Sequence, residues 1–194
     1  MATEGFRTAR ELEKRAGGAL FFVGFGTVWV LLSRLWLRSV PVPASVLAAV
    51  CGGVLFAWGW RFSARMERLA GPEPPVLAAE DVAAAKAFQW ANIGQYVAMF
   101  LASVLLILLR RPEWIIAAIG LIVGLHLLPL AHWFRNPAHY VTAGLLMMWS
   151  LGLMIGLPRA RVPGWAALGT GLILLGSASV TMLRASRAAR RLGL

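Results

Sequence analysis

The sequence predicts an all-α integral membrane protein: a six-transmembrane-helix bundle with N- and C-termini cytoplasmic. Three observations carry that expectation. Of the 194 residues, 59% are hydrophobic and only 14% charged, with a mean hydropathy of +0.72; a soluble domain carries about a quarter charged residues and under half apolar ones. The apolar residues fall into six runs, each near the roughly 20 residues needed to cross a hydrocarbon core. The Lys and Arg residues are bunched between those runs.

The elements follow in order. Residues 3–15 read as a short amphipathic helix on the inner membrane surface, with Thr8 and Glu11 at capping-box spacing. Six spans are placed at about 16–37, 42–60, 83–109, 114–134, 137–157 and 162–184. Pro41, Pro43, Pro112, Pro137, Pro158 and Pro163 punctuate their boundaries, where proline starts or ends helices. The third run is too long to embed fully, so its first turn after Glu80 and Asp81 protrudes as an acid-favoured helix start. The link 61–82 carries a basic stretch, Arg61 to Arg68, and then the breaker Gly71-Pro72-Glu73-Pro74-Pro75. Residues 185–194 form a basic cytoplasmic tail. Six spans with short links consume the chain and leave no separate soluble domain.

Charge sets the expected orientation. Thirteen Lys and Arg residues (Arg7, Arg10, Lys14, Arg15, Arg61, Arg65, Arg68, Lys86, Arg135, Arg184, Arg187, Arg190 and Arg191) lie on the side of the N-terminus. Six (Arg34, Arg38, Arg110, Arg111, Arg159 and Arg161) lie on the other. The excess belongs inside, and a multi-pass protein of the cell inner (cytoplasmic) membrane is expected. The net charge of +11 flanks the apolar runs and forms no single basic face, so nucleic acid is excluded as a partner. Anionic lipid head groups at the inner face are the expected partners of these basic residues. The basic start and the weak cleavage-like Val42-Pro43-Ala44 suggest a signal peptide, but the long apolar run and Arg34 and Arg38 favour a retained span. The single Cys51 forms no internal disulfide and leaves the redox compartment open.

The three histidines, His126, His132 and His139, all lie between Trp114 and Tyr140. Titratable side chains inside a membrane are costly and mark sites. In the inner half of the third span stand Gln89, Asn92, Gln95 and Tyr96; Gln89, Asn92 and Tyr96 share one face by i, i+3, i+7 spacing. His126 falls below the middle of the fourth span, His139, Tyr140 and Thr142 at the inner end of the fifth, and Ser177, Ser179 and Thr181 near the inner end of the sixth. A shared inner-leaflet polar cavity is the expectation, with His126, Gln95, Asn92, Tyr140, Gln89, Tyr96 and His139 as ligand-binding residues. Pro129 removes the helix partner of the Leu125 carbonyl and predicts a kink.

Blander roles compete. His126 could be a core histidine bonded to Gln95 or Asn92. His132, Trp133 and Arg135, with Trp58, Trp60, Trp90 and Trp114, fit interfacial anchors. His126 and His132 point about 120° apart on a straight helix, a poor spacing for one metal, and no carboxylate or cysteine joins them. No metal and no cofactor are expected. The spans contain no Asp or Glu, which argues against a carboxylate-based proton pump. Phosphate-loop, G-x-S-x-G, HExxH and CxxC signatures are absent. Gly120/Gly124 and Gly152/Gly156 are small-xxx-small pairs for close helix packing, and a homodimer stays open.

The run Gly124-Leu125-His126-Leu127-Leu128-Pro129, followed by Arg135 and Tyr140, resembles the G-x-H-x-L-P segment of small bacterial multi-span proteins grouped as a domain of unknown function of the DUF7010 type. Gly17-Gly18, Trp29 and the Gln95 region fit the same layout. The resemblance implies a six-helix fold, no established activity, and His126 and Pro129 as the positions to test. His132 and His139 stand outside the pattern. Binding or moving a small molecule or lipid-like ligand is the favoured function. A non-catalytic scaffold or accessory subunit is the alternative, and a histidine-ligated membrane enzyme or redox protein the second. No catalytic residue is assigned, and a non-enzymatic role is favoured.

Overall fold

The computed structural model describes residues 2–37, 42–71, 79–133 and 136–194. Among the described residues six α-helices follow one another: α1 (Ala2–Ser33), α2 (Val42–Ala70), α3 (Ala79–Leu108), α4 (Ile115–Trp133), α5 (Pro137–Gly156) and α6 (Val162–Arg191). Short 3-10 turns, Pro112–Trp114 and Arg159–Arg161, lead into α4 and α6. All six helices are long and apolar enough to cross a membrane, and helices keep every backbone polar group paired within the span. The expectations for Arg38, Pro41, the prolines 72–75 and Arg135 lie outside the described residues, as do the side chains of Arg7, Glu80 and Asp81.

Helix length is the first departure from the sequence reading. With 19 and 20 residues, α4 and α5 are about 30 Å long, the thickness of the hydrocarbon core. α1, α2 and α6 have 32, 29 and 30 residues and overshoot it by roughly 15 Å each. The excess collects at one end, where Leu12 of α1, Met66 of α2 and Ala185 and Ala189 of α6 form a buried cluster. Residues 3–15 are therefore not a separate surface helix. They are the first turns of α1, with Ala9, Leu12 and Ala16 buried, and Thr8 lies inside a continuous helix. Residues 185–191 are not a tail but the last turns of α6. A basic three-helix stub thus stands at the end of the bundle that holds both termini.

Arg10 fastens that stub, donating from its guanidinium to the Gly71 carbonyl at 2.9 Å. Gly71 has φ +68°, the left-handed cap that ends α2 and suits glycine. The Arg10 bond adds a cation at the negative end of the helix dipole.

Within the bundle, small residues decide which faces meet. α1 lies between α2 and α6, and α4 lies against α3, α5 and α6. α1 and α6 cross backbone on backbone: a Cβ at Gly26 would sit 2.9 Å from the Gly171 oxygen, and one at Gly171 2.6 Å from the Gly26 oxygen. Gly124 receives α5 at Met147 and the Ala143 carbonyl, and Gly169 of α6 receives the Trp149 ring, whose Nε1 donates to the Trp165 carbonyl at 3.1 Å. The main core joins Phe22 and Val23 of α1, Leu127 and Leu130 of α4, Leu146 of α5, and Leu174 and Met182 of α6. Gly120 and Gly124 pack as expected. Gly152 and Gly156 do not: both face open space, because α5 turns Ser150 and Leu153 inward instead.

Candidate functional site: the polar seams of the bundle

Among the polar residues of the helices, two groups lie on different seams. The first lies between α3 and α4. α3 is the least enclosed helix, with no residue buried in its spanning window, and among the other helices it leans chiefly on α4. Its half-buried stripe is Ala91, Gln95, Ala98 and Ala102, at i, i+4, i+7 and i+11. The alanines let the two backbones approach, and His126 of α4 reaches the Ala91 carbonyl through Nδ1 at 3.2 Å. A carbonyl only accepts, so Nδ1 carries the proton. Nε2 of the neutral ring is then an acceptor.

Gln95 stands one turn beyond Ala91 on the same face, and Asn92 beside it; both are half-buried. His126 therefore bonds neither amide, as the core-histidine alternative had it. It bonds the backbone next to them. Gln89 and Tyr96 part company with Asn92: both are exposed, Tyr96 by 64%, on the face that α3 turns away from α4. Small side chains, and not polar ones, selected the packing face.

The second group lies where α5 meets α1 and α6. Asn136 caps α5, its Oδ1 accepting from the Ala138 N–H at 3.2 Å. That fixes the amide orientation, so its Nδ2 faces His139 Nε2 at 3.1 Å and donates. His139 must then carry its proton on Nδ1, which is buried and has no partner among the described residues. The ring lies edge-on to Phe22 of α1, centroids 5.5 Å apart. One turn on, Thr142 Oγ1 bonds the Ala138 carbonyl at 3.0 Å and pairs with Ser177 Oγ of α6 at 2.7 Å.

His126 thus faces α3 while His139 faces α1, with the Leu127, Leu130 and Leu146 core between the seams. Tyr140 is 47% exposed and lies on the outside of α5. The geometry does not join His126, His139 and Tyr140 in one cavity; His126 meets α3 at the Ala91 carbonyl, next in sequence to Asn92 and one turn from Gln95. His132 is exposed in the last turn of α4 beside Trp133, as an interfacial residue would be. α4 continues through Pro129 to Trp133. No group of three or more metal-ligating side chains occurs among the described residues.

Two features escaped sequence reasoning. The hydroxyls of Ser150 and Thr170 are buried without partners and converge on Gly120, where a Cβ would lie 2.7 and 3.0 Å from them. Two adjoining grooves, about 480 and 320 Å³, lie on the outer face of α2 along Phe56, Trp60, Arg61, Arg65 and Arg68. The i, i+4, i+7 spacing of the arginines was the available signal. No protein-family model matches this chain, and no similar curated protein or solved structure was found.

Proposed function

We propose that this chain is a multi-pass protein of a bacterial inner membrane that binds, and by lateral release moves, a small uncharged hydrogen-bonding molecule or lipid-like ligand at the α3–α4 seam. The excess of Lys and Arg at the basic end supports a cytoplasmic location for it. One observation carries the site: a weakly enclosed helix is held to the bundle by an intramembrane histidine whose second nitrogen stays an acceptor, beside two half-buried amides. Asn92 and Gln95 supply donors and acceptors, and His126 supplies an acceptor. No charged side chain lies on the half-buried stripe, so the chemistry suits hydroxyl or amide groups rather than a free ion. Because α3 is open on its other faces, the ligand would enter sideways from the inner leaflet.

Cysteine labelling tests this. With Cys51→Ser as background, Gln95→Cys is treated in sealed membrane vesicles with a small, water-soluble methanethiosulfonate reagent. A polar, accessible seam gives modification at Gln95→Cys and none at a lipid-facing control, Leu105→Cys. An unmodified Gln95→Cys that reacts only after detergent unfolding would remove the site.

The His126–Ala91 bond also favours the scaffold reading, since it satisfies the ring and joins two helices. That reading expects an unmodified Gln95→Cys, and a His126→Leu variant changed in stability alone.

A further inference from the structure

We infer that the outer face of α2 is a binding site for one anionic phospholipid. α2 fills the hydrocarbon core with about its first 20 residues, which brings the hydrocarbon boundary to Trp60. Arg61, Arg65 and Arg68 then follow along one face at i, i+4 and i+7, spanning about 10 Å along the axis. The headgroup region adds about 5–8 Å on each side of the core, so Arg61 and Arg65 fall within it and Arg68 at its aqueous edge.

The two grooves on this face adjoin. The first, about 320 Å³, is lined by Phe56, Ala57, Trp60 and Arg61. The second, about 480 Å³, is lined by Trp60, Arg61, Ala64, Arg65, Arg68 and Leu69. Together they form a path that is apolar toward the membrane centre and basic toward the aqueous end. Phe56 and Trp60 are stacked, with ring centroids 6.5 Å apart and planes 15° apart, and make a flat wall for an acyl chain. Ala57 and Ala64 keep the floor low.

The three guanidinium groups form no ion pair or hydrogen bond among the described residues. The nearest acid in sequence, Glu67, points about 120° away from Arg61 on the helix. By contrast Arg10 of α1 is engaged with Gly71. Unpaired arginines offer bidentate donors to a phosphate. A phosphate in the headgroup layer, with its acyl chain laid along Phe56, Ala57 and Trp60, matches both halves of the path in charge and polarity. The occupant is therefore a lipid and not a soluble anion. This site lies on α2 and does not depend on the α3–α4 seam.

The full chain in nanodiscs of phosphatidylcholine is titrated with short-chain phosphatidylglycerol, and bound lipid is counted by native mass spectrometry. Phosphatidylglycerol is expected to bind at one saturable site, well above added phosphatidylcholine. Arg61→Gln/Arg65→Gln/Arg68→Gln should weaken it on the order of 100-fold, from three lost charges at the surface. Arg184→Gln/Arg187→Gln/Arg190→Gln removes equal charge from α6 and should leave it within about threefold, because those side chains lie off the site. Trp60→Ala should weaken the lipid but not glycerophosphate. Equal loss in both triple variants would overturn the proposal in favour of a diffuse basic surface. Equal competition by glycerophosphate would overturn the lipid assignment. Circular dichroism on each variant separates lost binding from lost folding.

Discussion

Gly171→Ala should destabilise the bundle by about 2 kcal/mol, within the range for inserting a methyl into a tightly packed contact. The added Cβ would lie 2.6 Å from the Gly26 carbonyl oxygen and 2.8 Å from the Val30 amide nitrogen. Both are backbone atoms of α1, so no rotamer change relieves the contact. Reaching ordinary contact near 3.4 Å requires α1 and α6 to part by roughly 0.8 Å, a gap that forfeits a quarter to a half of each affected dispersion contact. Gly152→Ala is the matched control, since a Cβ there meets nothing within 4 Å. In that open position alanine should gain about 0.5–1 kcal/mol from helix propensity. The two variants should therefore differ by about 3 kcal/mol. The assay is reversible unfolding in dodecyl maltoside micelles titrated with SDS, followed by far-ultraviolet circular dichroism. Equal midpoints for Gly171→Ala and Gly152→Ala would refute the backbone crossing of α1 and α6.

Gly120→Ala should cost about 1–2 kcal/mol by crowding the Ser150 and Thr170 hydroxyls. Adding Ser150→Ala should restore most of it by removing the Oγ 2.7 Å from the new methyl; additive losses in a double-mutant cycle would sink this three-helix junction. Arg110→Gly should stabilise the end of α3 by about 1 kcal/mol. Arg110 holds φ 55° while Arg111 N–H caps the Leu106 carbonyl at 2.7 Å, and the measurement is the same SDS midpoint. His126→Leu should lose about 1 kcal/mol and speed amide hydrogen exchange across α3 while leaving α5 unchanged. Unaltered exchange in α3 would show that the Ala91 bond does not hold this helix.

The sequence alone determined that there are six helices long and apolar enough to cross a membrane, and where the turns around Pro112, Pro137, Pro158 and Pro163 fall. Apolar run length against bilayer thickness is a one-dimensional constraint. His126, Asn92 and Gln95 were visible in the sequence as polar residues within apolar runs. Only the tertiary structure decided how those groups are grouped. Rotation of each helix about its axis is set by where a neighbour's backbone comes close, and so by Gly26, Gly124, Gly171 and the alanines of α3. Those residues turned Gln89 and Tyr96 outward, put His126 on α3 and sent His139 to α1. The ends of α1, α2 and α6 were likewise beyond sequence reading. Mixed with charge, Leu12, Met66 and Ala185 read as surface residues until three helices are seen to bury them against one another.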